Sequence, residues 1–303
     1  MFSLGCRKDP EDLRDIPMGL VLPPVPIPKT MDYTPNMSPV RNQGTEGTCV
    51  AFASVVGVKE YQDKKEYRRL IQLSPRYLYY LCKKFDGQPY QEGTYPRIAM
   101  KVLAKYGVAE ESCWPYKPFQ RDFPCANADK EAKRYRIKAY ARLLSLLEMK
   151  RSLAINGPFL AGVKVFKGWF SKRVIRSGLI PFPARNEQTV GGHAVCILGF
   201  DDAKQVFKFK NSWGRSWADK GYGYLSYGYM QKYCVDAWSA TDLIVNPKAL
   251  VKKREEIINF SGLKAGACKK LILKRPLSIF TLEGEDFGRV RIKQGGLRWL
   301  RVL

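Results

Sequence analysis

The sequence contains a single histidine, His193, among 303 residues. Zinc motifs such as H-E-x-x-H need two histidines, so that class of metalloenzyme is excluded. The eight cysteines include no C-x-x-C pair, which excludes zinc-ribbon and thioredoxin-type motifs. No apolar run approaches the roughly 18 residues of a membrane span. We therefore expect no metal, no cofactor and no transmembrane segment.

The N-terminus also lacks the apolar core of a secretory signal, because charge already appears at Arg7. We expect the chain to begin near Met1 and to be cytoplasmic, with export by an unrecognised route left open. The even number of cysteines leaves a disulfide framework open, although one free nucleophile would leave seven. Residues 1–30 are rich in proline, which indicates an extended arm lying on the surface.

Acidic residues are scarce, with 28 Asp and Glu against 52 Lys and Arg, and the net charge is +24. Residues 251–303 hold 13 Lys and Arg against 5 Asp and Glu, a net charge of +8. Such a field attracts nucleic acid, anionic membrane surfaces or acidic partners, and a solvated surface without a partner is the alternative. The sequence shows no RNP-like aromatic pattern, zinc finger or helix-turn-helix signature.

Hydrophobic residues make up 45% and charged residues 26%, as in a globular protein. The first half predicts helices, including "VAFASVVGVKEYQ", a helix capped by Ser74 and started by Pro75, and a helix stopped by Gly107. Beyond about residue 135, the runs "FLAGVKVF", "HAVCILGFDD", "VFKFKNSWG" and "GYGYLSYGYM" predict antiparallel strands.

This order of helices and then strands predicts an α+β protein with two lobes. The predicted parts are an extended arm (1–30), a helical lobe (31–135), a β-rich lobe (136–246) and a basic C-terminal extension (247–303). The extension mixes lysines with alternating apolar residues, so it can form short paired strands. We expect a monomer.

Three polar residues lie where acyl transfer needs them. Cys49 begins an apolar helix, where unpaired backbone N–H groups favour a thiolate. His193 stands at the entry to a buried strand behind two glycines, and Asn211 follows 18 residues later. An asparagine that accepts the Nδ1–H of the imidazole would fix its tautomer, and Trp213 would shield that bond from water.

Gln43, six residues before Cys49, has a side-chain amide that can donate to an oxyanion beside the Cys49 N–H. Each residue also has a purely structural interpretation. Cys49 can be a buried thiol, His193 and Asn211 can cap strand ends, and Gln43 can tie the turn. Together, however, the four residues supply every part that acyl transfer through a thioester requires.

Three segments resemble motifs of the papain-like cysteine peptidases. "NQGTEGTCVAF" resembles Q-G-x-x-G-x-C-x-A-F, "GGHAVCILGFDD" resembles G-H-A-V-x-x-x-G-Y-D, and "KNSWGRSWADKGYGY" resembles N-S-W-G-x-x-W-G-x-x-G-Y. "LSPRYLYYL", "YPRIAMKVLAKYGV" and "CWPY" add support over about residues 30–240. The resemblance implies a papain-like fold with a cleft between the two lobes.

By this resemblance, Cys49 is the nucleophile, His193 the base and then the acid, Asn211 the orienting residue and Gln43 the oxyanion donor. The implied substrate-binding residues are Gly93, Thr94, Gly192, Ala194 and Trp213.

The sequence departs from the family pattern at three places. Glu46 replaces a disulfide-forming cysteine, Val50 replaces a tryptophan, and Thr94 replaces the second glycine of the substrate wall. The loss of that disulfide and Val50 resemble bacterial or viral members. Only about 30 residues precede the domain, and "DPEDLRDIP" resembles the short D-x-R-D arm of bacterial relatives instead of a long helical propeptide.

The sequence thus predicts a cysteine-type endopeptidase that acts on a peptide or protein substrate. One alternative is the same thiol chemistry used as an amidase or transpeptidase on a specific partner. Another is a basic binding protein that retains the peptidase fold. The basic extension predicts an anionic partner, either nucleic acid or an anionic surface.

Overall fold

The computed structural model describes residues 2–21, 25–120, 122–242, 268–271 and 298–301. The chain divides into one compact unit, Met1–Leu243, and a second unit, Ile244–Leu303. Within the described residues, no helix is long and apolar enough to cross a membrane.

One continuous helical segment carries the candidate nucleophile at its first residue. It begins with α1 (Cys49–Phe52), passes through a π-helical stretch (Ala53–Lys59) and ends with α2 (Glu60–Tyr67). Arg68 adopts a left-handed conformation with φ of 58° and ends the helix. The prediction of a helix over "VAFASVVGVKEYQ" is confirmed.

The helix starts and stops in the first half follow the predicted signals. The Ser74 hydroxyl accepts a hydrogen bond from the Tyr77 N–H at 3.1 Å, and Pro75 occupies the first helical position. Gly107 has a φ of 81°, where a side chain would be strained. The further helices are α3 (Pro75–Phe85), α4 (Pro96–Lys105), α5 (Ala128–Ala132), α6 (Leu146–Ile155), α7 (Lys172–Ser177) and α8 (Tyr227–Tyr233).

An antiparallel sheet forms the second half of the compact unit. Its strand order is β2-β7-β3-β4-β5-β6, and β1 pairs with β4. His193 lies opposite Val163 in the β3–β4 register, and β5 pairs with β4 only from Cys196 onward, so β3 holds the backbone of His193 on one side. The strands are β1 (Thr30–Asp32), β2 (Ala139–Arg142), β3 (Phe159–Phe166), β4 (Thr189–Asp201), β5 (Val206–Lys210), β6 (Tyr222–Ser226) and β7 (Cys234–Thr241).

The predicted strand "GYGYLSYGYM" is only half strand. β6 ends at Ser226, whose hydroxyl accepts a hydrogen bond from the Tyr229 N–H at 3.1 Å and caps α8. Aromatic residues favour strands, but a serine that can cap a helix outweighs that preference here.

Two buried lysines tie the long helix to its surroundings. The Lys59 ammonium contacts Asp63 at 2.5 Å and Asp242, just beyond β7, at 2.6 Å. From β5, the Lys210 ammonium donates to the carbonyl oxygens of Ser38 and Val56 at 2.7 and 2.9 Å. These bonds hold the helix that carries Cys49 against the sheet that carries His193.

In the C-terminal extension, two strands are described, β8 (Cys268–Leu271) and β9 (Arg298–Arg301). They pair antiparallel, with Cys268 opposite Arg301. This agrees with the predicted pairing of short basic strands. The other predicted strands, and the predicted boundary at 246/247, lie outside the described residues.

Candidate functional site

Cys49 begins α1 at the end of a turn that is itself tied to the sheet. The Gln43 N–H donates to the Ser212 carbonyl oxygen at 2.8 Å. Thr48, the residue before the helix, offers no side-chain cap, so the first backbone N–H groups of the helix stay available. The thiol is completely buried.

His193 is held by an amide and an indole. One ring nitrogen, Nε2, lies 2.8 Å from Asn211 Oδ1, which also accepts the Ser212 N–H at 2.8 Å. Because that amide oxygen only accepts, Nε2 carries the proton. The Trp213 ring stacks on the imidazole at 4.5 Å with an angle of 29°. The predicted shielding by Trp213 is confirmed.

The predicted ring nitrogen is wrong. We expected Asn211 to accept from Nδ1, but it contacts Nε2, and Nδ1 has no hydrogen-bond partner within the described part of the chain. The sequence indicates which residues meet; stacking on Trp213 sets the plane of the ring, and the contact with Asn211 identifies the bonded nitrogen. Nδ1 is therefore the nitrogen left free to accept a proton.

Gln43 is completely buried and serves both interpretations made from the sequence. Its Nε2 donates to the Glu46 carbonyl oxygen at 2.9 Å, which ties the turn. The same nitrogen donates to the Ser3 carbonyl oxygen at 3.3 Å. Its Oε1 accepts from the Ser212 hydroxyl at 2.5 Å. The amide thus faces a peptide carbonyl group, as an oxyanion donor must.

The N-terminal segment crosses this site, which corrects the prediction that residues 1–30 lie on the surface. The N–H groups of Gly5 and Cys6 donate to the Gly192 carbonyl oxygen at 3.1 and 3.0 Å. On the other side, the Thr94 N–H donates to the Gly5 carbonyl oxygen at 2.9 Å, and the Arg7 N–H donates to the Thr94 carbonyl oxygen at 3.0 Å. The segment therefore runs between two walls of the site.

Glycine is the only residue type that fits at the position of Gly5. A Cβ there would collide with the Gly47 carbonyl group, and a Cβ on Gly93 would in turn collide with the Gly5 carbonyl group. Beyond it, the Asp9 N–H donates to Asp236 Oδ2 at 2.7 Å and anchors the segment. Local proline content predicts an extended chain, but a close approach between distant backbones cannot be read from it.

The other end of the segment covers the indole. The Phe2 ring stacks on Trp213 at 4.7 Å, and the Trp213 Nε1–H donates to the Ser3 carbonyl oxygen at 3.3 Å. Thr94, Gly192 and Trp213, predicted to bind an extended substrate, thus contact an extended stretch of this chain.

Burial decides the protonation of the two reactive groups. It raises the pKa of the Cys49 thiol to about 12, although the backbone N–H groups of Ala194, Val50 and Gly5 act in the opposite direction. It also lowers the pKa of His193 to about 4, against the effect of the bond to Asn211. In this covered form, burial outweighs the helix terminus and disfavours the thiolate.

Glu46 shows what replaces the missing cysteine. Its carboxylate is paired with the Arg76 guanidinium, and it also accepts the Phe119 N–H at 3.0 Å. Both side chains of the pair are buried. Cys113 and Cys125 form a disulfide that closes the loop containing Phe119.

Sequence reasoning missed Ser212 and Arg76. Ser212 holds the Gln43 amide, and Arg76 holds the turn through Glu46. Ser212 follows Asn211 directly, so the N-S-W-G motif could have drawn attention to it. Arg76 lies in an ordinary helix start and carries no local signal.

A thiol at a helix start, an imidazole with one free nitrogen and an orienting amide define a cysteine hydrolase site on a two-part α+β fold. Residues 27–241 match the model of the papain family cysteine proteases. The chain belongs to this family, which confirms the predicted papain-like fold and cysteine-type peptidase.

Individual relatives agree. The chain is 32% identical over 221 residues to an uncharacterized peptidase C1-like protein of Acanthamoeba polyphaga mimivirus, covering 68% of this chain and 71% of that protein. It is 30% identical to chymopapain of Carica papaya, covering 64% of this chain but only 54% of chymopapain. The crystal structure of xylellain, a cysteine protease from Xylella fastidiosa, superposes with a TM-score of 0.72 at 28% identity, covering 79% of this chain and 96% of xylellain.

Proposed function

We propose that this chain is an endopeptidase that cleaves extended polypeptides through a thioester on Cys49. The observation that carries the proposal is the orientation of His193. Asn211 holds its Nε2 proton, Trp213 holds its plane, and Nδ1 stays unpaired within the described part of the chain.

The chemistry follows from that orientation. The Cys49 sulfur attacks the scissile carbonyl carbon while His193 Nδ1 takes the thiol proton. The C–N bond then breaks, and His193 returns the proton to the leaving amine. Water, deprotonated by the same nitrogen, hydrolyses the thioester and regenerates the thiol. Asn211 keeps the second ring proton in place throughout.

The remaining site residues receive supporting roles in this proposal. The Gln43 Nε2–H and the Cys49 N–H stabilise the oxyanion. Thr94 and Gly192 pair with the substrate backbone, since both already pair with Gly5. The positions around them are then borders of the cleft: Gly93, Ala194 and Trp213.

An epoxide thiol inhibitor tests the assignment. Once the N-terminal segment no longer covers Cys49, the inhibitor should modify Cys49 and abolish hydrolysis of a fluorogenic peptide. The Cys49→Ser variant should be neither labelled nor active. Equal labelling of Cys49→Ser and wild type would contradict the nucleophile. Acyl transfer to an added amine without hydrolysis of peptides would instead favour the amidase or transpeptidase alternative.

We also propose that residues 3–7 keep the enzyme latent, because they cover Cys49 and pair with both walls. Gly5→Ala should displace them, since a Cβ has no space there. We expect Cys49 in this variant to be alkylated at least about tenfold faster. Gly228→Ala is the matched control, because the nearest atom to its Cβ is 3.8 Å away. Unchanged alkylation in Gly5→Ala would contradict latency but not the nucleophile.

The predicted role of the basic extension and the predicted localisation stay proposals. Truncation after Pro247 should preserve hydrolysis of a small peptide and reduce retention on heparin; loss of hydrolysis would contradict a docking role. The Cys113–Cys125 disulfide is of a kind that persists in oxidising compartments. Thiol mapping of protein from the producing cells therefore tests the cytoplasmic prediction.

A further inference from the structure

A band of cations and exposed rings crosses the helical half at the end of α2 farthest from Cys49. We propose that this band binds single-stranded nucleic acid. It is defined by Phe85, Tyr106, Arg136, Arg134, Tyr67 and Arg68.

One end of the band is a stacked aromatic pair. Phe85 and Tyr106 stack with their centroids 5.2 Å apart and an angle of 12°. Phe85 is 48% exposed. The Lys105 ammonium lies 5.3 Å from the Tyr106 centroid. A ring surface and a cation are therefore presented to solvent together.

The band continues through Gly107 to the cations that follow α5. The Arg136 side chain lies beside Gly107, the residue after Tyr106. Two residues earlier, the Arg134 carbonyl oxygen accepts the Tyr67 hydroxyl at 3.4 Å. Tyr67 is 42% exposed, and Arg68 follows it at the turn that ends α2. These contacts join the two ends into one surface.

The carboxylates around the band each have a partner among the described residues, and one of them faces a cation. Glu131 accepts the Glu110 N–H at 3.0 Å, and Asp129 accepts the Tyr77 hydroxyl at 2.6 Å. Glu66 faces Lys138 at 3.9 Å. Arg68, Arg134 and Arg136, in contrast, have no ion-pair partner among the described residues.

This combination fits one class of polyanion better than the others. Arginine forks pair with phosphate oxygens, and exposed rings stack on unpaired bases. A duplex hides its base faces, and sulfated polysaccharides have none. Helix-end lysines such as Lys105 also complement the macrodipole, but that effect explains neither the ring pair nor Arg134 and Arg136.

The band is well separated from the candidate active site. Cys49 and Tyr67 are the first and last residues of one helical segment, which places them roughly 25 Å apart along its axis. A strand bound at the band leaves the cleft free, so this binding is additional to the proposed peptidase function.

The test uses the full chain and a fluorescein-labelled oligothymidylate of about 20 nucleotides, followed by fluorescence anisotropy. Phe85→Ala should weaken binding about tenfold and leave the salt dependence unchanged, because only stacking is lost. Arg134→Gln with Arg136→Gln should instead lower the slope of log K against log salt by about 1.4.

A matched control separates the band from the net charge. Lys172→Gln with Arg173→Gln removes the same charge from α7, at exposed positions in the other half. It should change affinity less than about twofold. Equal losses in the control and the band variant would overturn the proposal, because the total charge, including the extension, would then explain binding.

Three further probes distinguish the sources of anionic charge. Duplex DNA, heparin and phosphatidylserine vesicles can also bind the basic extension, so their binding should be insensitive to Phe85→Ala. An equal loss of binding of any of them in Phe85→Ala, or no effect of Phe85→Ala on the single strand, would overturn the proposal. Unchanged peptide hydrolysis and an unchanged melting temperature confirm that Phe85→Ala and the double variant of Arg134 and Arg136 fold.

Discussion

The helical segment that runs from α1 to α2 meets opposite surroundings at its two ends. At its start, Cys49 is completely buried, and burial holds the sulfur in its neutral form despite favourable backbone N–H groups. At its far end, Tyr67 and Arg68 are exposed, and water solvates the arginine. The helix dipole favours a thiolate at the first end, so the comparison shows that exclusion of water outweighs the dipole there.

The largest effect on this comparison should come from removing the imidazole. His193→Ala should lower the rate of peptide hydrolysis at least about a thousandfold, because the sequence holds no second histidine. Asn211→Ala should lose less, since the amide orients the ring without transferring a proton. Both substitutions are made in the Gly5→Ala background, in which the site is uncovered. The measurement is kcat/KM of Gly5→Ala and of the two double variants, Gly5→Ala with His193→Ala and Gly5→Ala with Asn211→Ala. Equal, mild losses would indicate a fold without catalysis.

The next effect concerns the oxyanion donor beside the same helix end. Gln43→Ala should lower kcat about a hundredfold. Ser212→Ala removes only the hydrogen bond that holds the Gln43 amide and should cost less. If Gln43→Ala lowered thermal stability but not kcat, the residue would only tie the turn through Glu46.

Acid should make the two helix ends more alike by opening the first one to water. The covered form holds His193 with a pKa of about 4, below its ordinary 6.5, so the open form binds more protons between these values. The covered form therefore loses stability as the pH falls from 6.5 to 4, by about tenfold in equilibrium constant per pH unit.

An N-terminal fluorophore reports this opening. Because Phe2 stacks on Trp213, the covered form holds the fluorophore near the indole, which quenches its fluorescence. Its fluorescence should rise on acidification in wild type. Gly5→Ala should be bright at neutral pH already and change little. A wild-type signal that is independent of pH would contradict the predicted coupling.

The smallest effect should come from the far end. Arg134→Gln with Arg136→Gln should leave kcat and KM for a small peptide within about twofold, because roughly 25 Å of helix separates the band from Cys49. A larger change in kcat or KM would show that the band and the active site are coupled.

The sequence predicted the parts of the site that local patterns control. Cys49 at a helix start, His193 on a strand and Asn211 after the next strand all lie where their motifs place them. The identity of the bonded ring nitrogen, and the passage of Gly5 through the site, depend on backbones distant in sequence. No local periodicity encodes those approaches, so they required the structure.

The protonation of Cys49 in the covered form could not be read from the sequence for a related reason. A helix terminus is visible in the sequence, and its effect on a thiol has a predictable direction. The residues that exclude water come from the N-terminal segment and from β4, and their arrival is a tertiary event. Prediction therefore brought the right residues together, whereas the bonded ring nitrogen and the protonation of Cys49 depend on tertiary contacts.

The turn that carries Gln43 is held by an ion pair, at the place where the family resemblance implies a disulfide. Glu46 and Arg76 are both about 5% exposed, so dissolved salt screens their pairing little. A thiol reductant can open Cys113–Cys125, yet it finds no bond to cleave at Glu46. The Phe119 N–H that Glu46 accepts lies in the loop that this disulfide closes, so a reductant removes one support of the oxyanion corner while the buried Glu46–Arg76 pair remains.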